Sequence, residues 1–476
     1  MSEYKPVIGL EVHTELATES KIYCGCPTIF GSGENTQVCP GCLGMPGTLP
    51  LLNRKVIELC VKAGLALNCK INNYSRQDRK HYFYPDLPKG FQVSQLDLPV
   101  CYDGYLDIES EGRTKRVRIN RIHVEEDAGK LLHGFDETRV DLNRGATGLI
   151  EIVSEPDLSS PDDVYAYMET LRQVLLFAGV SDCKMEEGSY RCDVNVSVHK
   201  EGEPYGVRTE MKNINSLSAA RAAAAYEIER QKKVLAEGGK LFQATLRWDD
   251  AKGVNYVMRV KEDADEYYYF PEPDIAPIII THEEIEAIRS GLPEMPWDRK
   301  RRYKERYGLS DYDAGVLTRD KALSDLFDAA ASTGANAKTC ANIIMGDIIR
   351  TLREKEMAPE EIPFAGDALA SLANLINQGA ISSSAGAKVL ELMFDADNAG
   401  KSPELIVQEQ NLGQVSDDAA IRDMCAEVIE RNPKIVADYK GGRTQAISAL
   451  VGQVMKASKG KANPGMVNQI LAELMK

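Results

Sequence analysis

No uninterrupted apolar stretch in this sequence reaches the length needed to cross a bilayer. The opening residues, MSEYKPVIGL, lack the basic-then-apolar layout of a secretory leader. Both absences lead to the expectation of a cytoplasmic protein with no membrane contact. Positive charge is in short supply: 57 Lys and Arg stand against 72 Asp and Glu, a formal net of −15. A polyanion could then be held only through a local basic region. Eleven cysteines are spread along the chain, an odd number without the spacing of a small disulfide scaffold. In a reducing compartment such usage favours metal binding or core packing. There is no low-complexity tract and no clear internal repeat. A phosphate-cradling P-loop is also missing, since the nearest run, DADNAGKS, has Asp395 where the first glycine must stand.

What is present suits an ordinary folded chain: 476 residues, 43% hydrophobic and 27% charged, enough for two or three domains. Up to about residue 290 the pattern is mixed. RCDVNVSV (191–198) alternates cleanly, as do GYLDIE and KRVRINRIHVE. SPDDVYAYMETLRQVLLFAGV opens with Ser160 as a cap and Pro161 at the first helical position. SLSAARAAAAYEIERQKKVLAEGGK reads as a helix that stops at Gly238-Gly239. This mixture predicts an α+β domain with a mainly antiparallel sheet over 1–293. Prolines cluster in GLPEMPWDRKRRY, and helical patterns follow. They predict an all-α domain over 294–402 and a small helical tail over 403–476. From Arg431 to Lys476 the chain nets +6, which leaves −21 for the rest. That asymmetry points to a polyanion contact at the tail.

CGCPTIFGSGENTQVCPGC carries Cys24, Cys26, Cys39 and Cys42 as C-x-C and C-x2-C pairs. Four thiolates on two tight turns close a tetrahedral Zn2+ shell and leave no place for water or substrate. The expectation is a structural zinc knuckle at 24–42.

A second set of residues sits where a core strand would not want it. As a strand, VIGLEVHTEL sends Glu11, His13 and Glu15 to one side and Leu10, Val12 and Thr14 to the other. HVEEDAGK adds His123, Glu125, Glu126 and Asp127; GLIEIVSEPD adds Glu151; Asp193 lies on the polar face of RCDVNVSV. Carboxylates among β-branched residues are costly unless paired or metal-bound. Hard oxygen ligands with an imidazole suit Mg2+ or Mn2+. Salt bridges to Arg118, Arg121 or Arg191 are the bland alternative for any single one. Strand parity leaves Glu125 and Glu126 as alternatives. A divalent ion with many carboxylates suggests ATP, and DRKHYFYPDLPKG offers a phosphate site: Arg79, Lys80 and Lys89 as clamps, Tyr82 and Tyr84 to stack a base.

These stretches, together with DLNRGATGLIEIVSEPD, KMEEGSYRCDVNVSV, TEMKNINS, YYYFPEPDI and GQVMKASKGKANPGMVNQIL, closely resemble the family of B subunits of bacterial aspartyl/glutamyl-tRNA amidotransferases, from about residue 5 to the end. The resemblance implies a glutamine-synthetase-like cradle, a helical domain and a YqeY-like tail. It implies a heterotrimeric, ATP-dependent ligase that forms carbon–nitrogen bonds in protein biosynthesis. One partner, the A component, would be an amidase-type glutaminase, and the other, the C component, a small belt. The family to which this chain is similar would phosphorylate the side-chain carboxylate of Glu-tRNA(Gln) or Asp-tRNA(Asn), and ammonia would then displace phosphate. By position, the implied metal ligands are Glu11, His13, Glu126 and Glu151, with Glu125 and Asp193 close by. Lys80 and Lys89 fall near the implied ammonia route, and Lys456, Lys459 and Lys461 on the tRNA-facing tail.

The chain carries no Gly-Ser-rich amidase run with a paired lysine and no cysteine placed as a glutaminase nucleophile, so ammonia is expected from a partner. Two other classes remain open. One is a non-catalytic tRNA-binding adaptor of the same complex; the other is a metal-dependent hydrolase that turns over without ATP.

Overall fold

The computed structural model describes residues 4–260, 267–413, 418–441, 443–458 and 462–475. The chain divides after Met295 into two compact units.

In the first unit the strands are β1 (Tyr4–Glu15), β2 (Lys70–Ile71), β3 (Tyr74–Ser75), β4 (Asp78–His81), β5 (Phe91–Ser94), β6 (Cys101–Ser110), β7 (Arg113–Glu126), β8 (Lys130–His133) and β9 (Thr138–Asp141). They continue as β10 (Gly148–Ser154), β11 (Tyr190–Lys200), β12 (Thr209–Ile214), β13 (Ala244–Asp249), β14 (Val254–Val260), β15 (Tyr268–Pro271) and β16 (Ile278–Ile279). Among the described residues nine of them form one sheet in the order β14-β13-β12-β11-β1-β10-β7-β6-β2. Every neighbour pair in it is antiparallel except β12–β13. The mixed fold with a mainly antiparallel sheet is therefore as expected.

The alternation of β1 explains the sheet's two faces. Ile8, Leu10, Val12 and Thr14 are all at most 1% exposed. The three apolar ones share one core with residues of helices α1 (Arg54–Ala66), α2 (Pro161–Phe177) and α3 (Leu217–Ala236). Each such apolar side chain contributes roughly 1.5–3 kcal/mol by leaving water. Local chemistry starts two of these helices where the sequence places them. Ser160 accepts from the Asp163 amide ahead of Pro161, and Ser216 accepts from the Ala219 amide. The odd-numbered residues of β1 face the other way, where polar side chains collect.

Two further features position those polar residues. β6 and β7 join through a two-residue turn, Glu111 at φ +50° and Gly112 at φ +72°, the left-handed pair that matches the twist of a hairpin. A three-stranded sheet, β15-β4-β5, docks on the end of β7: the Val93 amide donates to Glu126 at 2.8 Å and the Ser94 hydroxyl to Glu125 at 3.2 Å.

The second unit is helical and, among the described residues, has two separate apolar clusters. One spans Tyr303 to Val407 and the other Ile421 to Met475. The expected boundary at 402/403 precedes the helix Pro403–Glu409, yet Ile406 and Val407 belong to the first of these clusters. The tail helices Asp418–Arg431, Ile447–Ala457 and Pro464–Leu474 enclose Ile421, Cys425, Leu450, Val454 and Leu471. Among the described residues no helix is long and apolar enough to cross a membrane.

Candidate active site

Register builds the site. Pairing of β1 with β10 sets His13 opposite Glu151, and pairing of β10 with β7 sets Glu151 opposite His123. On the other flank, β11 sets Asp193 opposite Glu11. The result is a row of titratable side chains across five adjacent strands on the face that the helices leave uncovered.

The row resolves into two groups. In the first, His13 Nε2 lies 3.3 Å from Glu151 and 3.7 Å from Glu125. His123 Nε2 lies 3.4 Å from Glu151 and 3.8 Å from Glu125. His13, Glu125 and Glu151 offer ligand atoms within 4.8 Å of one another, the spacing a divalent ion needs. Burial opposes a charged imidazole at His123, but Glu151 and Glu125 outweigh it and bring its pKa to about 9. His13 is raised in the same way, against burial, by Glu151, Glu125 and Asp193. Burial would push Glu151 up, yet His123 and His13 hold it well below the usual carboxylate range.

The second group is Glu11, Asp193 and Glu210, again with ligand atoms within 4.8 Å. Lys212 pairs with Asp193 and lies 3.0 Å from Glu210, and the Asn195 amide donates to Glu11 at 3.1 Å. Glu11 is raised by burial first and then by Glu151, Glu210 and Asp193, so the two groups feel each other. In both groups the carboxylate excess fits a hard cation such as Mg2+.

The remaining expected residues lie as follows. Glu126 joins neither group. Lys89 grips both its oxygens at 2.6 Å, and its carboxylate is nearly inaccessible. Glu125 and Glu126 point to opposite sides of β7, as adjacent strand residues must. Glu15 meets Asp127 instead of an ion: burial and the Asp127 charge bring it to about 8, while Arg191 holds Asp127 at 2.9 Å. Arg79 is committed elsewhere, with Nε 2.6 Å and Nη2 2.8 Å from Glu272 and a guanidinium stacked on Phe91. Lys80 stands nearer the acidic row. Burial works against its charge, but Glu125, Tyr269 and Glu151 keep its pKa raised. Its ammonium lies 4.7 Å from the Tyr267 ring centroid, and Tyr82 tilts against that ring at 5.4 Å. Tyr84 is exposed. Lys456 is exposed on its helix, whereas Lys459 and Lys461 lie outside the described residues.

His123 and Glu210 enter the groups although neither stood among the implied ligands. His123 shares strand parity with Glu125, which is the signal that could have included it. Glu210 lies in TEMKNINS, but only the β11–β12 register, with Asn195 opposite Glu210, brings it beside Asp193.

Two cavities flank the second group. One of about 230 Å3 is lined by Val7, Gly9, Glu11, Pro156, Tyr205 and Arg208, among others. Another of about 280 Å3 is lined by His13, Arg191, Cys192, Asp193, Asn213, Ile214 and Asn215.

The four knuckle cysteines also converge, with their Sγ atoms within 4.8 Å of one another. The Cys39 amide donates to Cys42 Sγ at 3.1 Å, and the fully buried Lys21 ammonium lies 3.9 Å from the same sulfur and 3.2 Å from the Leu142 carbonyl. Sharing a proton with Cys24, with the backbone amide and Lys21 adding to it, brings the Cys42 thiol to about 4. Such a donor set fits Zn2+.

Comparison with known proteins accounts for both units. Residues 6–286 match the family described as the GatB/GatE catalytic domain, and residues 325–475 match the GatB domain. A relative from Caldanaerobacter subterraneus subsp. tengcongensis is 53% identical over 473 residues, 99% of each chain, and is named as the B subunit of an aspartyl/glutamyl-tRNA(Asn/Gln) amidotransferase. Relatives of the same name from Caldicellulosiruptor saccharolyticus and Clostridium tetani are 52% and 49% identical, each over 99% of this chain. The chain belongs to the family of aspartyl/glutamyl-tRNA(Asn/Gln) amidotransferase B subunits.

Proposed function

We infer that this protein is the kinase and transamidase component of a tRNA-dependent amidotransferase. It phosphorylates the side-chain carboxylate of Glu-tRNA(Gln) or Asp-tRNA(Asn) with ATP, and ammonia then replaces the phosphate to give Gln-tRNA(Gln) or Asn-tRNA(Asn). The carrying observation is the pair of carboxylate groups in one row, His13–Glu125–Glu151 beside Glu11–Asp193–Glu210.

A carboxylate does not yield to ammonia at neutral pH, because oxide is a very poor leaving group. Transfer of a phosphoryl group to it requires two anions to meet. Mg2+ or Mn2+ held by the two groups would supply charge neutralisation for the phosphate oxygens. Lys80, with its raised pKa, adds a fixed positive charge over Glu125 and Glu151 where negative charge accumulates. The cavity beside Glu11 suits the nucleoside. Gly9 presents no side chain to it, Pro156 and Tyr205 offer apolar faces, and Arg208 offers a cation to the phosphates. Arg79, bound to Glu272, braces β4 against β15, while Lys89 and Glu126 fasten β5 to β7.

The fold of the first unit is read as a glutamine-synthetase-like cradle, and the cysteine knuckle as a structural Zn2+ site. The partners are an amidase-type glutaminase and a small belt protein, the A and C components of a cytoplasmic heterotrimer. The basic tail, with Lys456, Lys459 and Lys461, is assigned to backbone contacts with tRNA, which should be salt-sensitive.

The test uses the assembled complex with [γ-32P]ATP and Glu-tRNA(Gln), and free ammonia in place of glutamine. His13→Ala is expected to abolish label transfer and transamidation while tRNA is still bound. Normal turnover by that variant would leave only the adaptor role. Turnover without ATP would favour a hydrolase.

A further inference from the structure

On the helix-covered face of the large sheet, α3 packs against β11 and β12 through Val194, Val196, Met211, Ala220, Ala223 and Ala224. A charged side chain is buried at this contact. Glu227 and Gln231 of α3 are both 0% exposed, and Thr209 of β12 is 1% exposed. Arg230 holds the Glu227 carboxylate with Nε at 2.8 Å and Nη2 at 2.7 Å, and the Thr209 hydroxyl donates to it at 2.7 Å. Gln231 Nε2 lies 2.8 Å from the Thr209 hydroxyl, 2.9 Å from Glu227 and 3.1 Å from the Val196 carbonyl. A buried ion pair of this kind seldom stabilises a fold more than apolar residues of the same size would, but it fixes how its partners meet. Here the partners outside α3 are Thr209 and Val196, which face each other as one rung of the β11–β12 ladder.

That ladder is short. Residues 204–208, which lead into β12, have no regular structure. At the other end the register shifts between Cys192 and Val194, and Asn213 takes a left-handed backbone at φ +65°. Between these limits Thr209 pairs with Val196, Glu210 with Asn195 and Met211 with Val194. The middle rung carries Glu210 and also Asn195, whose amide donates to Glu11. Neighbouring strand residues point to opposite faces, so a bond made to Thr209 on the covered face sets where Glu210 stands on the other. A one-residue slip that brought Glu210 to the Val196 rung would turn its carboxylate inward against that of Glu227, two anions with no water between them.

We propose that Glu227 and Gln231 are positioning residues for Glu210. Through Thr209 and the Val196 carbonyl they fix, from the covered face, the register that sets Glu210 beside Asp193 and Asn195 beside Glu11. This rests on the reading of Glu11–Asp193–Glu210 as a group that holds a divalent ion.

The test titrates Mn2+ into the full-length protein, followed by electron paramagnetic resonance, with urea unfolding alongside. Glu210→Gln serves as the benchmark and should weaken one class of Mn2+ at least tenfold. Glu227→Met/Arg230→Met removes both charges and keeps the bulk. It should unfold at the parent's urea midpoint and yet weaken that same class at least tenfold. Thr209→Val, which cuts the hydroxyl link alone, should weaken it at least threefold. Glu227→Gln keeps an acceptor for Thr209 and should bind Mn2+ as the parent does. Thr209→Val decides the matter if the double variant does not fold. Parental Mn2+ binding in Thr209→Val and the double variant, or equal weakening of every Mn2+ class, overturns the positioning role. Parental binding in Glu210→Gln overturns the divalent-ion reading of the group itself, and the positioning role with it.

Discussion

Removal of one ammonium would test how β7 divides its two carboxylates. Lys89 contacts both oxygens of Glu126 at 2.6 Å, and the Val93 amide adds a third donor at 2.8 Å. The Glu126 side chain is only 2% exposed, so little water can replace the lysine. Lys89→Met should therefore leave a buried, uncompensated carboxylate and destabilise the first unit by about 3–5 kcal/mol. Lys89→Met/Glu126→Gln removes both charges, keeps the shape and leaves the Val93 amide an acceptor. It should return to within about 1–2 kcal/mol of the starting protein. The measurement is urea unfolding at pH 7.5 followed through Trp248 fluorescence, in a Trp297→Phe background so that the first unit alone reports. Manganese binding by electron paramagnetic resonance provides the second readout. The double variant should bind Mn2+ as the parent does, whereas Glu125→Gln should weaken it at least tenfold. If the single variant is as stable as the parent, or if the double variant loses Mn2+, Glu126 is a metal ligand and the division fails.

The remaining predictions concern charge near two of the three metal-competent clusters. Lys21→Met should speed Zn2+ release to a chromophoric chelator at least tenfold, because it removes a buried ammonium beside Cys42; metal analysis should find one zinc per parent chain, and finding none would remove the knuckle reading. The imidazole of His123 is raised from its ordinary 6.5 to about 9, against burial, by Glu151 and Glu125. Its contribution is complete below pH 6.5 and disappears as pH rises through 9, a loss of about 3 kcal/mol in metal-free protein. Urea midpoints should fall over that window in the parent and fall less steeply in His123→Gln, where the raised His13 and Glu15 still titrate; equal slopes in the two proteins would contradict the electrostatic account.

Legibility in the sequence followed distance along the chain. The Ser160 and Ser216 caps act on amides three residues away, so a local reading suffices for them. The four cysteines span only nineteen positions, and their spacing is visible by eye. Alternation marked which residues of β1 face away from the core. It could not decide between Glu125 and Glu126, because that choice depends on β5 docking against β7 and on Lys89 arriving from another part of the chain. Arg79 looked like a phosphate clamp, and the structure commits it to Glu272, nearly two hundred residues on. Glu210 needed the β11–β12 register, which no local pattern encodes. Charge composition indicated the basic tail, while two of its three named lysines lie outside the described residues.

The left-handed pair Glu111-Gly112 fixes how β6 and β7 run past each other, with Ser110 opposite Arg113 and Cys101 opposite Ile122. Adding or removing one residue there would favour a slip by a single position, and side chains exchange sides at every such slip. The carboxylate that now meets the imidazoles would turn toward the lysine, and its neighbour would take its place. A tight bend more than a dozen residues away thus contributes to the odd–even count that decides which glutamate faces the imidazoles.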